Sequence, residues 1–178
     1  MKFSKLIILG LTFVVFSLSS KAAAPLEDRY FFDDSVIIRV PQNFNKAPQE
    51  LIETRFTDEN NRPEFVLTDS DQLATLALSI ADNVGDRETI IHFYRDIKNS
   101  IRAQHPKHQF LKTDVIRNRT LAIVEVIMPN SEGNEVYNMM AFRYVGERFF
   151  FLNFSCPKEE MDKWQNTARE IAETVKVN

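Results

Sequence analysis

Two periodicities divide this chain. Alternation of apolar and polar residues, the signature of a half-buried strand, marks one set of segments; apolar residues recurring every three to four positions mark the other. The stretch "YFFDDSVIIRVP" predicts a hairpin of Tyr30–Phe32 and Val36–Val40 about Asp33-Asp34, with Pro41 ending the pairing. "KAPQELIETRF" predicts a short helix, Pro48 standing in its first turn where a missing N–H costs nothing. A second hairpin follows, Phe65–Thr68 with Leu73–Ile80 about Asp69-Ser70-Asp71. Leu76, Leu78 and Ile80 take one of its faces and Thr75, Ala77 and Ser79 the other. A long helix is predicted over 87–104, capped by Asp86, stopped by Pro106, and carrying Ile90, Tyr94, Ile97 and Ile101 along one stripe. Four strands come next: 110–116, a turn at Asn118, 121–128, a polar loop "PNSEGN", 135–145, a two-residue turn at Gly146-Glu147, and 148–155. The chain closes on a helix from Pro157 whose apolar stripe is Met161, Trp164, Ala168, Ile171 and Val175.

The last hairpin sets the architecture. Four phenylalanines crowd into the six residues from Phe149 to Phe154, and Cys156 follows as the chain's single cysteine. Pairing about Gly146-Glu147 places Tyr144 opposite Phe149, Phe142 opposite Phe151, Ala141 opposite Leu152 and Met139 opposite Phe154. One face then carries Tyr144, Phe142, Met140, Phe149 and Phe151. The other carries Ala141, Met139, Phe150, Leu152, Phe154 and Cys156. Both faces are apolar, so both must be covered. The helices near 87–104 and 157–175 are the available covers. The fold class expected is α+β: an antiparallel β-sheet covered by helices on both faces, an α/β/α sandwich.

Charge and composition place this domain. The first residues form a short basic region (Lys2, Lys5), an apolar run from Leu6 to Leu18, and small residues at Ser20 to Ala22. This is the pattern of an export signal, too short to span a bilayer, with cleavage expected after Ala22. The organisation predicted is a signal peptide over 1–22 and one domain over 23–178. No cysteine lies near the cleavage point to carry a lipid, so a stable membrane anchor is not expected and the chain should be periplasmic or secreted. Cleavage removes three lysines and no acid, taking the net charge from −3 to −6. For an acidic exported domain with no basic cluster expected, nucleic acid is a poor partner. A lone cysteine excludes an internal disulfide framework.

Candidate chemistry is sparse. Cys156 precedes Pro157 at the expected N-cap of the last helix, where free N–H groups favour a thiolate, but Glu159 and Glu160 oppose that within one turn. A buried packing cysteine is the reading it supports. His105 and His108 are separated by a helix-breaking proline and lack the H-E-x-x-H glutamate, so they predict a loop rather than a zinc site. Asp69-Ser70-Asp71 lacks the glycine and glutamate of a calcium loop. Glu125 interrupts an apolar strand, as a buried carboxylate, or near an edge, or paired with an arginine such as Arg143. No catalytic residue, metal site or cofactor is predicted. Binding residues concentrate on loops held by a rigid scaffold. That directs attention to two polar loops: Asp58, Glu59, Asn60, Asn61 and Arg62 in the first, Asn130, Ser131 and Glu132 in the second.

The order of elements, with "VIIRVPQNF", the helix after "IADNVGDRE" and the series "TLAIVEVIMP…EVYNMMAFRYVGERFFFLNFSCPKEEMDKW", resembles the DcrB-like families of the PsbP/Mog-type fold over residues 29 to 176. The "RNRT" turn lacks the glycine many relatives carry there, and the lipoprotein cysteine of DcrB is absent. The resemblance implies a non-enzymatic domain acting by protein contact. Relatives of this fold serve as photosystem accessory subunits, small-GTPase binders, envelope proteins and periplasmic immunity proteins against type VI secretion toxins. The partner implied is thus another protein, a toxin effector or an envelope component.

Overall fold

The computed structural model describes residues 24–81, 87–116, 121–145 and 148–177. The expected leader with its cleavage point, the Asp86 cap and the turns at Asn118 and Gly146-Glu147 lie outside those residues.

Strands β1 (Leu26–Phe31) and β2 (Val36–Pro41) form the first hairpin. Phe32, Asp33 and Asp34 all take positive φ in its turn, a conformation Asp adopts more readily than most residues. Pairing differs from the expected Tyr30–Phe32: β1 starts four residues earlier, Phe32 joins the turn, Pro41 still faces Leu26, and the Gln42 N–H reaches the Pro25 carbonyl at 2.9 Å. The two-residue strand β3 (Asn45–Lys46) leads into helix α1 (Gln49–Arg55), with Pro48 at its N-cap. A 3-10 turn (Glu59–Asn61) precedes strands β4 (Phe65–Thr68) and β5 (Thr75–Ala81). Buried Asp69 closes their connection, its carboxylate accepting the N–H groups of Leu73 and Ala74 at 2.9 Å each.

Helix α2 (Arg87–Gln104) is followed by β6 (Gln109–Ile116), β7 (Leu121–Pro129), β8 (Glu135–Val145) and β9 (Arg148–Pro157). A 3-10 turn (Lys158–Glu160) leads into helix α3 (Met161–Thr174), and the chain ends its described part in β10 (Lys176–Val177). Cys156 therefore belongs to a strand rather than capping a helix. Among the described residues the strands make two antiparallel sheets. One has the order β3-β4-β5-β9-β8-β7-β6; the other is β1-β2-β10.

All four expected pairs of the last hairpin are present: Tyr144 with Phe149, Phe142 with Phe151, Ala141 with Leu152, Met139 with Phe154. Its two faces enter two separate cores. Met139, Ala141, Phe150, Leu152, Phe154 and Cys156 pack with Trp164, Ala168 and Ile171 of α3 and with Val36, Ile38 and Val40 of β2. Phe142 and Phe149, with Met140, Tyr144 and Phe151 beside them, pack with Ile90, Tyr94, Ile97 and Ile101 of α2. The architecture is the expected antiparallel sheet with helices on both faces. One cover is composite, however. The small sheet lies beside α3, and the Arg39 N–H donates to the Thr174 hydroxyl at 3.2 Å.

One polar group interrupts the α3 side. Glu125 is fully buried on β7, an interior strand with β6 and β8 on its flanks. Its carboxylate accepts Arg169 Nε at 2.6 Å and Nη2 at 2.8 Å, Gln165 Nε2 at 2.9 Å, and the Tyr137 hydroxyl at 3.2 Å. Of the alternatives the sequence leaves open, burial and an arginine partner hold and the edge position does not; the arginine is Arg169 instead of Arg143, whose Nη1 donates to the Val175 carbonyl. A carboxylate taken out of water is tolerated only where such bonds replace its hydration. Burial first, and then Glu125, hold the Tyr137 hydroxyl well above its ordinary pKa, so Tyr137 is always the donor.

Breaking this clamp from one side strands a buried charge. Arg169→Met should lower stability by about 3–5 kcal/mol in urea unfolding. Glu170→Ala, which loses only an exposed contact to Arg39, should cost under about 1 kcal/mol. Equal losses would mean that the Glu125 clamp is not what seats α3.

Candidate functional site

Strand alternation changes character along the last hairpin. The face that puts Met140, Phe142, Phe149 and Phe151 toward α2 carries Asn138, Asn153 and Ser155 nearer the hairpin's open end. Asn138 lies opposite Ser155, and Ser155 opposite Thr75 of β5. Aromatic side chains thus give way to amides and hydroxyls on one continuous sheet surface.

That polar end floors a cleft of about 660 Å3. Thr54, Arg55 and Phe56 at the end of α1 form one wall with Leu73, and the β7–β8 loop forms the other with Asn130, Ser131, Glu132, Asn134 and Glu135. Pro157 and Glu159 close the rim. The first wall is fixed by Arg55, whose guanidinium donates to the Thr75 hydroxyl and to the Gln72 carbonyl, the latter at 2.9 Å. The second is held by Asn130, whose side-chain oxygen accepts the N–H groups of Glu132 at 3.0 Å and Asn134 at 2.9 Å. Gly133 in that loop has φ +86°, where a side chain would be strained. Across the rim, Lys158 pairs with Glu135.

The floor holds one unmet demand. The Asn153 side-chain oxygen is buried and has no hydrogen-bond partner among the described residues. An unmatched buried acceptor costs free energy that an incoming N–H or O–H donor would recover. With Asn138 and Ser155 beside it, the floor offers both donors and acceptors. That suits a polar side chain or main-chain amide of a partner.

The structure separates the two loops singled out in the sequence. Asn130, Ser131 and Glu132 line the cleft directly. Asp58, Glu59, Asn60, Asn61 and Arg62 do not line it. They form the neighbouring 3-10 turn, in which the Asp58 carboxylate accepts the Asn60 N–H and the Asn61 amide, and Arg62 reaches back to the Phe56 carbonyl at 3.0 Å. Arg55, Asn138, Asn153 and Ser155 were missed. For the last three a signal was available: two asparagines and a serine on a hairpin face whose next positions are Met140, Phe142, Phe149 and Phe151.

Cys156 borders the cleft, but its side chain belongs to the α3-side core, and the residue is 1% exposed. Burial, then Glu160 and Asp69, push its pKa up to about 12, which leaves a protonated, poorly nucleophilic thiol at neutral pH. His108 turns its Nδ1 onto the His105 carbonyl at 2.6 Å. Among the described residues no group of three or more His, Cys, Asp or Glu is gathered to hold a metal. No described helix is long and apolar enough to cross a membrane.

Comparison with solved structures follows this geometry. The chain superposes on cyanobacterial PsbP (CyanoP) from Synechocystis sp. PCC 6803 with TM-score 0.58 at 10% identity, covering 92% of this chain and 99% of that one. The fold is of the PsbP/Mog type. The Ran-binding protein Mog1p of Saccharomyces cerevisiae matches with TM-score 0.54 at 12% identity, over 87% of this chain and 96% of Mog1p. LpqN of Mycobacterium tuberculosis, a protein involved in cell envelope biogenesis, gives 0.52 at 13% identity, over 86% and 90%. No protein-family model matches the sequence, and no curated protein is significantly similar to it.

The thiol carries a testable pH dependence. An unfolded cysteine ionises near 9, while folded Cys156 stays protonated to about 12. The folded state therefore binds the extra proton in that window, and stability should fall as pH rises through it. Cys156→Ala should flatten the slope between pH 9 and 11 in urea unfolding. An unchanged slope would place the thiol in contact with water.

Proposed function

We propose that this chain is a non-enzymatic protein-binding module of the cell envelope, exported by the 1–22 leader, in which the cleft between α1 and the β7–β8 loop receives the partner. The observation that carries the reading is the floor itself. Asn138, Asn153 and Ser155 stand where the rest of the hairpin face is aromatic, and Asn153 keeps an unmatched acceptor. Both walls are set beforehand, by Arg55 and by Asn130, so little ordering entropy opposes binding. The neighbours add support, since Mog1p is a Ran-binding protein and LpqN is involved in cell envelope biogenesis. The resemblance to DcrB-like families points the same way.

The specific form we favour is an immunity-type inhibitor that neutralises a type VI secretion toxin in the envelope. Asp58 to Arg62 lie directly beyond the Phe56 wall and would extend the contact there. A general accessory protein of a transport or assembly complex is the second reading, and the LpqN likeness favours it. Chemistry at Cys156 is disfavoured by the burial and raised pKa of the thiol.

Capture of partners from envelope extracts by the immobilised chain tests the site. Ser131→Trp places an indole at the cleft mouth from an exposed loop position. It should weaken capture at least about tenfold while the unfolding midpoint stays put. Undiminished capture would move the binding surface elsewhere. Competition between sister cells then separates the two forms: cells lacking the gene should be killed if the chain is an immunity protein, and should survive normally if it is an accessory protein.

A further inference from the structure

The charge of this chain is unevenly spread once folded. Residues 24–81 hold five lysines and arginines against eleven carboxylates, whereas 87–116 hold six against three and all three histidines of the chain. The bases in the second region are not a run, so they do not stand out in the sequence. Helix α2 gathers them. Ile91, Arg95, Lys98 and Arg102 are spaced by four, three and four residues, which places them along one helical stripe. Asp96 falls on a different side of the helix by the same geometry, and Glu88, three residues before Ile91, stands at the stripe's N-terminal end. Asp114 alternates with Thr113 on β6 and pairs with Ile123, on the α3 side of the sheet.

The C-terminal half of the stripe reaches β6, the outer strand of the large sheet. Lys98 Nζ approaches the Thr113 hydroxyl at 3.4 Å and sits 5.7 Å from the centre of the Phe110 ring. Arg102 covers the same ring at 5.4 Å, and the His108 imidazole meets it edge-on at 4.7 Å. Lys107 is exposed in the turn between them. Among the described residues, no carboxylate pairs with Arg95, Lys98, Arg102 or Lys107. Like charges are held together on an aromatic platform, and Ile91 beside them is 39% exposed. Uncompensated cations so arranged attract an extended negative surface.

We propose that the α2–β6 edge docks the protein reversibly on an anionic phospholipid surface, its basic stripe toward the headgroups. The acidic first half of the domain, repelled by the same surface, orients the molecule so that only this edge approaches. Ile91 enters the headgroup region while Arg95, Lys98, Arg102 and Lys107 meet lipid phosphates. This surface is separate from the cleft, so it holds or fails independently of the partner-binding reading.

Sedimentation with phosphatidylglycerol–phosphatidylcholine vesicles, against pure phosphatidylcholine vesicles, tests the proposal. Each cation at such a surface contributes about fivefold in affinity. Arg95→Gln/Arg102→Gln should therefore weaken binding to the anionic vesicles by about 25-fold, and Arg95→Glu/Arg102→Glu by more. Lys46→Glu, on β3 away from the stripe, should change it little. Added salt should release the wild-type chain from anionic vesicles, because exposed charges are screened. Equal binding to both vesicle types, no binding at low salt, or binding by the double glutamine variant equal to wild type would each overturn it. A double variant that binds normally while an acidic protein is lost from pull-downs would assign the stripe to a protein and overturn the lipid reading.

Discussion

A hairpin that is apolar on both faces dominates this molecule. Met139 to Phe142 and Phe149 to Leu152 present apolar side chains to both sides of the sheet, so the chain must supply two covers. It does so with α2 on one face and with α3 and the small β1-β2-β10 sheet on the other. Nearly every other element is placed by that demand. Strand β5 pairs with β9 through seven residues and β7 with β8 through nine, so the hairpin sits mid-sheet with its backbone groups also satisfied. Strand β2 contributes Val36, Ile38 and Val40 to the α3-side core, all fully buried.

Covering both faces leaves little of the sheet for function. The exception is the open end of the hairpin, where the residue types turn to Asn138, Asn153 and Ser155 and a cleft opens. The binding role proposed for this chain is therefore assigned to that polar margin and not to the phenylalanines. A large burial of aromatic surface makes the floor stiff, and a stiff floor is what allows an unmatched acceptor such as Asn153 to persist. Cys156, the residue that invites a chemical reading in the sequence, lies on the wrong face of the strand for such a role.

Much of the fold was legible because its largest elements are long and periodic. Register in the last hairpin followed from the two-residue spacing at Gly146-Glu147, and the helical stripes of α2 and α3 followed from their apolar repeats. The failures have a different origin. Two-residue strands such as β3 and β10 have no period to detect. Glu125 and Arg169 are 44 residues apart, and nothing local says which arginine a buried carboxylate will meet. The cleft was half found, since Asn130 to Glu132 are on a visible loop while Arg55 and Asn153 reach it from distant parts of the chain. The basic stripe was missed for the same reason: its charges are neighbours in a helix and strangers in the sequence.

The doubly covered hairpin is the stable centre of the molecule, and the cleft walls are held at its margin by a few local hydrogen bonds. Native-state hydrogen exchange read residue by residue tests this directly. The amides of β8 and β9 should exchange only through global unfolding, while those of 54–62 and 130–134 open locally at lower free energy. Hairpin amides exchanging as readily as those of the cleft margin would contradict it.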